Sequence, residues 1–267
     1  MKPHVPILLL LGLVVPLAPA TARMMDGLTR CETTVTGQGE AERNRGLGIC
    51  LTEVLVKVAA RPGLADDPRL AGLLPAAAGA VESIAYEDRM KDLPVGDEQG
   101  TRDRPYYLRV TFRAGTVVDM LAALGLKPWG ADRPVLGVVV VSKRDGQAWI
   151  VARGIPGVTK GAQVDALDDA GRRFAMPLAL PEQAALVSLG LDPAAPLPAD
   201  LAAKLGADAL LTGTLDWDDA ALGWRATWTL ADSKAAPWSL AGVSFDDAFR
   251  AGVGGAAALL SGADQPR

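Results

Sequence analysis

An uninterrupted apolar run, Val135–Val141, constrains the fold of this chain more than any other stretch. Its residues VLGVVVV contain no polar side chain and no alternation of polar and apolar positions, which is typical of a strand covered on both faces. Pro134 fits the entry to such a strand, because proline holds the preceding residue in extended geometry and donates no hydrogen bond. We therefore expect a central buried strand whose covers come from elsewhere in the chain.

The pattern on either side of this strand predicts a mixed α+β fold of two small domains joined near Pro128–Asp132. The order of elements in the first is β-α-α-β-β-α, and the second has a mixed sheet with helices packed on it. The predicted divisions are a signal peptide (1–22), an N-terminal domain (23–127), a C-terminal domain (128–262) and a disordered tail (263–267).

Periodicity places the individual elements. An apolar stripe at helical spacing predicts a helix over Glu40–Ala59, and strict alternation predicts a strand over Pro105–Arg113. Strands are also predicted at Arg30–Gly37, Ile84–Met90, Phe174–Leu180, Gly206–Thr214, Leu222–Leu230 and Trp238–Val243, and helices at Asp66–Ser83, from Thr116, at Gln163–Arg173 and at Ser244–Leu260. Either Asp66 or Asp67, together with Thr116 and Ser244, is expected to cap helical segments.

The first 22 residues resemble a secretory signal peptide. Lys2 precedes an apolar run, Val5–Leu17, and the small residues of Ala20–Ala22 come before Arg23. The apolar run is shorter than the ~20 residues that a bilayer-spanning helix needs. We therefore expect a periplasmic protein, exported through a cleavable signal, with no stable membrane span after cleavage.

Histidine chemistry is excluded from the predicted mature chain. The 267 residues contain one histidine, His4, inside the predicted signal peptide. Catalytic triads, histidine-ligated zinc and a histidine general base are therefore not expected. The net charge of −4 argues against nucleic acid as a partner, because phosphate binding needs a clustered basic surface.

Cys31 and Cys50 are the only cysteines. The predicted elements direct one into the core from a strand and the other from the following helix. In an oxidising compartment the pair could form a disulfide, and two buried free thiols are the alternative. Their spacing matches no zinc or redox motif.

Four side chains are weak candidates for ligand binding. Arg109 and Arg113 lie on the polar face of the predicted strand and could bind an anion, although solvated strand charges are commoner. Trp224 and Trp228 alternate along another strand and could stack on a sugar, although such residues more often belong to a sheet core. No catalytic residue is predicted.

Two further motifs lack the spacing that their chemistry requires. The loop GIPGVTKG at 154–161 matches neither glycine-rich phosphate-binding pattern. The acidic stretch Asp216–Asp219 lacks the alternation of a calcium loop, and aspartates are common in turns. We therefore expect no metal and no cofactor.

Several longer stretches resemble a known family. They include RNRGLGICLTEVLVKV (43–58), GLADDPRL (63–70), LRVTF (108–112), LGLKPWGADRPVLGVVVV (124–141), FAMPLALPE (174–182), LAAKLGADALLTGTL (201–215) and WRATWTL (224–230). On these the chain resembles the secreted proteobacterial family catalogued as domain of unknown function 2066 (DUF2066), with Ala59-Ala60 where that family usually has a Thr-Gly pair. The resemblance implies a compartment and a fold and no catalytic residue.

Three functional hypotheses follow. The preferred one is a non-enzymatic envelope accessory protein that binds another envelope protein. The second is a periplasmic protein that binds a small ligand or glycan. The third is a carboxylate-dependent hydrolase, which needs two acidic side chains in one cleft.

Overall fold

The protein has the predicted mixed α+β fold. The computed structural model describes residues 27–92 and 104–262. The predicted signal peptide (1–22) and tail (263–267) lie outside the described residues. None of the helices within that described part is long and apolar enough to cross a membrane.

The first half forms a small antiparallel sheet with one long helix on it. Its elements are β1 (Arg30–Thr36), α1 (Glu40–Ala59), three 3-10 turns (Pro62–Asp66, Pro68–Gly72 and Leu74–Ala76), α2 (Ala77–Ala80), β2 (Val81–Asp88), β3 (Pro105–Phe112) and α3 (Ala114–Ala123). The strand order is β1-β3-β2, so β1 and β2 are the edge strands.

Gly46 allows α1 to approach the sheet closely. A Cβ atom at this position would lie 2.4 Å from Cδ2 of Leu108 and 2.7 Å from Cγ1 of Val35. Side chains in a packed core cannot yield that much space without strain. The close contact buries Val35 and Leu108 completely and fixes the position of α1 over β1 and β3.

The disulfide between Cys31 and Cys50 is confirmed. It joins β1 to the middle of α1, with 5.4 Å between the two Cα atoms. A crosslink that closes a loop of this size stabilises a fold by about 3 kcal/mol, mainly by restricting the unfolded chain. The bond and the close approach at Gly46 hold the same pair of elements together.

The second half contains a larger mixed sheet. Its elements are β4 (Leu136–Arg144), β5 (Gln147–Ile150), α4 (Val158–Phe174), β6 (Leu178–Ala179), a 3-10 turn (Gln183–Ala185), α5 (Leu186–Leu189), α6 (Leu201–Lys204), β7 (Ala209–Asp218), β8 (Gly223–Leu230), β9 (Trp238–Val243) and α7 (Phe245–Leu260). The strand order is β5-β4-β7-β8-β9, and β6 also pairs with β4. The pairs β4–β7 and β4–β6 are parallel.

The prediction that the Val135–Val141 run forms a strand covered on both faces is confirmed. Val138 and Val140 belong to the main hydrophobic cluster, together with residues of α4 and α7 such as Leu167. Val139 points to the opposite face, into a second cluster with Leu201. Because alternate residues of a strand face opposite ways, an all-apolar run requires both clusters.

Several predicted elements differ from the structure, among them the helix predicted over 163–173, which begins at Val158. The helix predicted over 66–83 is a series of 3-10 turns followed by a short helix and the start of β2, because Pro68 and Pro75 interrupt helical hydrogen bonding. The helix predicted from Thr116 begins at Ala114, with Arg113 as its N-cap. The strand predicted over 174–180 is limited to 178–179, since Phe174 is buried as the last residue of α4.

Arg133 connects the two halves of the chain. Its guanidinium is buried, donates to the carbonyl oxygens of Lys57 (2.8 Å) and Phe174, and stacks on the ring of Trp129. These carbonyls lie at the C-terminal ends of α1 and α4, where a cation is favoured. Burial lowers the pKa of Arg133 to about 10.

The Pro128–Asp132 stretch and Arg133 therefore have a structural role, which is to hold the two halves of the chain together. Trp129 donates its backbone N–H to the carbonyl of Val58 over 2.7 Å, so the connecting segment is itself bonded to α1. The main hydrophobic cluster contains residues of both halves, including Val58, Phe174 and Phe249. The division of the chain into two domains stays a prediction.

Candidate functional site

A cleft of about 840 Å³ lies between the first sheet and the helices of the second half. It is lined by parts of β1, β2 and β3, by the second half of α1, by α4, and by the first turns of α7. We call this cavity the charged cleft. Clefts between adjacent parts of a fold are common places for ligands and partners to bind.

Basic side chains outnumber acidic ones in the charged cleft. The basic residues are Arg30, Lys57, Arg109, Arg172, Arg173 and Arg250, and the acidic residues are Glu32, Glu53, Asp169 and Asp246. Although the whole chain is acidic, this cavity carries an excess of positive charge. A cleft with one dominant sign of charge concentrates ligands of the opposite sign.

Two of these arginines are not neutralised by a neighbouring carboxylate. Arg30 and Arg173 form no ion pair with any residue in the described ranges. The guanidinium of Arg250 lies 2.8 Å from Asp247, and that of Arg172 contacts Asp169. Arg30 and Arg173 are therefore the cations best able to bind an incoming anionic group.

Lys57 is the most perturbed group of the charged cleft. Its ammonium is almost fully buried, donates to the carbonyl of Arg30 over 2.8 Å and lies 3.7 Å from Oε1 of Glu53. Burial lowers the pKa of Lys57 below its usual range, and the carboxylate of Glu53 offsets this only in part. A buried lysine in a cleft is a candidate functional residue, but here its hydrogen bond fixes the start of β1 against α1.

The free energy of unfolding of the parent protein is expected to rise with pH in the alkaline range, and Lys57→Met is expected to abolish that rise. Because the folded pKa of Lys57 lies below the usual value of 10.5, the unfolded chain binds more protons between the two values. The free energy of unfolding of the parent protein should therefore rise as the pH increases through that window. Urea unfolding across alkaline pH measures this, with the exposed Lys234→Met as the matched control. An equal rise in parent and Lys57→Met would contradict the assignment.

Arg109 and Arg113 are engaged with other protein groups. Nε and Nη1 of Arg109 lie 2.6 Å from Glu32 and Glu87, on the strands to either side, and these hydrogen bonds raise the pKa of Arg109. The guanidinium of Arg113 donates to the carbonyls of Val81 and Gly79. Arg109 does line the charged cleft, but neither arginine offers an unshared charge to an anion.

Trp224 and Trp228 are not available for stacking on a ligand, so the suggestion that they bind sugar is wrong. Both rings are buried, and that of Trp228 lies between the sheet and α7. A Cβ atom at Gly213 or Gly252 would fall 2.4 or 2.6 Å from that ring. The absence of side chains at those two positions makes room for the indole in the core.

Two further surface features lie outside the charged cleft. A second cavity of about 550 Å³ lies between the 3-10 turns near Leu64, β9 and α7, and is lined mainly by apolar residues. The acidic hairpin Asp216–Asp219 is tied by Arg225, which donates to Asp218 over 2.7 Å. Within residues 27–92 and 104–262, no group of three or more His, Cys, Asp or Glu side chains could hold a metal ion.

The first half of the chain is similar to an uncharacterised family. A family model described as a domain of unknown function (DUF8605) matches residues 22–130. The resemblance to domain of unknown function 2066 is therefore wrong, because the family that matches is a different one. No curated protein and no solved structure matches the chain.

Sequence reasoning did not identify Arg30, Lys57 or Arg173 as members of one site. Lys57 follows the helical pattern of α1 as an ordinary polar residue, and Arg173 is one of two arginines at the end of α4. No local pattern relates three residues that lie on a strand and on two helices from opposite halves. Only the packing of α1 beside α4 brings them together.

Proposed function

We propose that the protein is a non-enzymatic binding module of the cell envelope, and that it binds another protein through the charged cleft. The cleft itself carries this proposal. It is wide, it is lined by elements of both halves, and it combines an excess of positive charge with exposed backbone of an edge strand. These are features of a recognition surface rather than of a small enclosed active site.

The proposed location depends on two observations. The first 22 residues have the pattern of a secretory signal. The Cys31–Cys50 disulfide is of the kind that persists in an oxidising compartment. We therefore place the proposed activity in the periplasm.

The hydrolase hypothesis has less support. It needs a carboxylate free to act as a base beside one that acts as an acid. In the charged cleft Glu32 is bonded to Arg109, Glu53 lies near Lys57 and Asp169 contacts Arg172. Carboxylates held by cations are poor general acids, because the cation favours their ionised form.

Site-specific photocrosslinking in the producing cell tests the proposal. A photoreactive amino acid replaces Ser83, which lines the charged cleft, in the full-length chain. We expect a discrete heavier adduct, whose second component is a protein identified by mass spectrometry. The matched control places the same amino acid at Lys234, which is exposed in the turn before β9.

The charge of the cleft provides the second arm of this test. Arg173→Glu combined with the Ser83 crosslinker is expected to reduce the adduct several-fold, because the reversal removes an unpaired cation. Equal labelling at Ser83 and Lys234, or no adduct at either position, would count against protein binding. An adduct unaffected by Arg173→Glu would place the partner elsewhere.

A further inference from the structure

We infer that the second cavity binds a single-chain fatty acid, with the aliphatic chain inside the cavity and the carboxylate at its opening. This cavity, of about 550 Å³, lies between the 3-10 turns of the first half, β9 and α7, and we call it the apolar cavity. Of the described residues that line it, none also lines the charged cleft. The inference therefore adds a small-molecule site that goes beyond the proposed function.

Helix α7 leaves space for the apolar cavity because its residues on this side are small. Ala251, Gly255 and Ala258 line the cavity, and their spacing of i, i+4 and i+7 places them on one face of the helix. The ring of Trp238 packs against the same face. A Cβ atom at Gly255 would lie 2.7 Å from Cζ2 of that ring, and the indole N–H donates to the carbonyl of Ala251 over 3.2 Å. These contacts fix Trp238 as one wall and leave the volume beside it open.

The remaining walls of the apolar cavity are suited to an aliphatic chain. They include Pro62 and Leu64 of the first 3-10 turn, Leu126 after α3, and Leu240 of β9. Leu126 and Leu240 are only partly buried, so a bound chain would remove more of their surface from water, and this is favourable. The volume lies in the range of pockets that hold one small molecule, which favours a single chain over a two-chain lipid.

The polar residues that line the apolar cavity favour an acidic head group. Arg69 and Ser239 are exposed, so they lie at the opening. The ionic residues of the lining are Arg61, Arg69 and Asp67, which is two basic residues against one acidic residue. Asp67 lies 2.6 Å from the guanidinium of Arg69, and this pair is neutral as a unit. A carboxylate at the opening matches the excess positive charge, whereas an ammonium group would be repelled.

The open edge of β9 adds a backbone donor at the same opening. Within residues 27–92 and 104–262, β9 pairs with no strand except β8. The N–H of Ala231 donates to the carbonyl of Leu210, so alternate residues of β8 from that point bond to β7. The others bond to β9, and among them Trp228 is opposite Trp238. The backbone N–H of Ser239 therefore points away from β8 and can donate to a bound carboxylate.

A series of fatty acids tests the inference by nuclear magnetic resonance on the full-length, nitrogen-15-labelled protein. Decanoate is expected to shift the indole N–H signal of Trp238 and the amide signal of Leu240 saturably, with a Kd below about 1 mM. From hexanoate to decanoate, each added methylene should tighten binding about three- to fourfold, because each one is buried in the cavity. Decylammonium should bind at least several-fold more weakly than decanoate.

Two substitutions in the walls test the location. Ala258→Leu places a larger side chain inside the apolar cavity and should weaken decanoate binding at least tenfold. Ala241→Leu is the matched control, because Ala241 is exposed on β9 and is not part of the lining, and it should bind decanoate like the parent protein. Leu126→Ser removes an apolar wall without filling the space and should weaken binding several-fold. It provides the same test if Ala258→Leu does not fold.

Several outcomes would overturn the inference. They are absence of a saturable shift at Trp238, equal affinity of hexanoate and decanoate, or decylammonium binding as tightly as decanoate. Binding like that of the parent protein by both Ala258→Leu and Leu126→Ser would also overturn it. Shifts confined to Ser83 and its neighbours would place the chain in the charged cleft instead. The photocrosslink at Ser83 reports on that other surface, so failure of decanoate binding leaves the proposed protein binding standing.

Discussion

Trp228→Ala is expected to lower the free energy of unfolding by about 4 kcal/mol. The ring is fully buried and makes an edge-on contact with Phe249, with 6.1 Å between the ring centroids. Its neighbours Gly213 and Gly252 have no side chains that could move into the space left by the indole. The cavity would remain open, and an unfilled cavity makes a large-to-small substitution costly. Urea unfolding followed by far-ultraviolet circular dichroism measures the change.

Two matched variants test the physical reason. Trp228→Phe keeps an aromatic ring and removes an indole N–H that is buried without a partner among the described residues, so its loss should be less than half that of Trp228→Ala. Trp217→Ala removes a partly exposed tryptophan of β7 and should cost about 1 kcal/mol or less. A loss below about 1 kcal/mol for Trp228→Ala would contradict the rigid packing against the two glycines.

Arg133→Ala is expected to lower the free energy of unfolding by about 3 kcal/mol, because hydrogen bonds from a charged donor contribute about 1.5–3 kcal/mol each. The substitution removes the donors to the carbonyls of Lys57 and Phe174, at the ends of α1 and α4. It also removes the stacking on Trp129. Urea unfolding measures the loss, and hydrogen exchange should show faster opening of the last turns of both helices.

Arg133→Lys is the control for charge alone. A lysine keeps a positive charge but presents it at one point, whereas the planar guanidinium reaches several carbonyls at once. We therefore expect it to restore only part of the lost stability. If Arg133→Lys is as stable as the parent protein, the connection between the halves depends on charge and not on the geometry of the guanidinium.

Much of the fold could be predicted because local patterns and tertiary packing agree. Helix α1 has the predicted bounds, since its apolar stripe and the acidic residues of its first turn both favour a helix there. Asp67 accepts a hydrogen bond from the backbone of Arg69, and Ser244 accepts one from that of Asp247. The sequence predicts Ser244 as a cap and Asp67 as one of two candidates with Asp66, because capping depends on residues only a few positions apart. The cap predicted at Thr116 is wrong, since that helix begins two residues earlier.

The candidate site could not be predicted in the same way. Arg109 was recognised as a side chain on a polar strand face, but the carboxylates that occupy it lie on two other strands. The resemblance to domain of unknown function 2066 was wrong, because short similar stretches do not establish a family relationship.

The central buried strand, the long first helix and the Ser244 cap can be predicted from local patterns, because each depends on neighbouring residues or on a period of two or 3.6. By contrast, the parallel pairing of β4 with β7, more than 60 residues away, and the position of Arg133 between the ends of two helices depend on the tertiary structure. It also decided that the charged cleft meets an open strand edge. Such contacts arise from the simultaneous packing of distant surfaces, and no local pattern of residues records them.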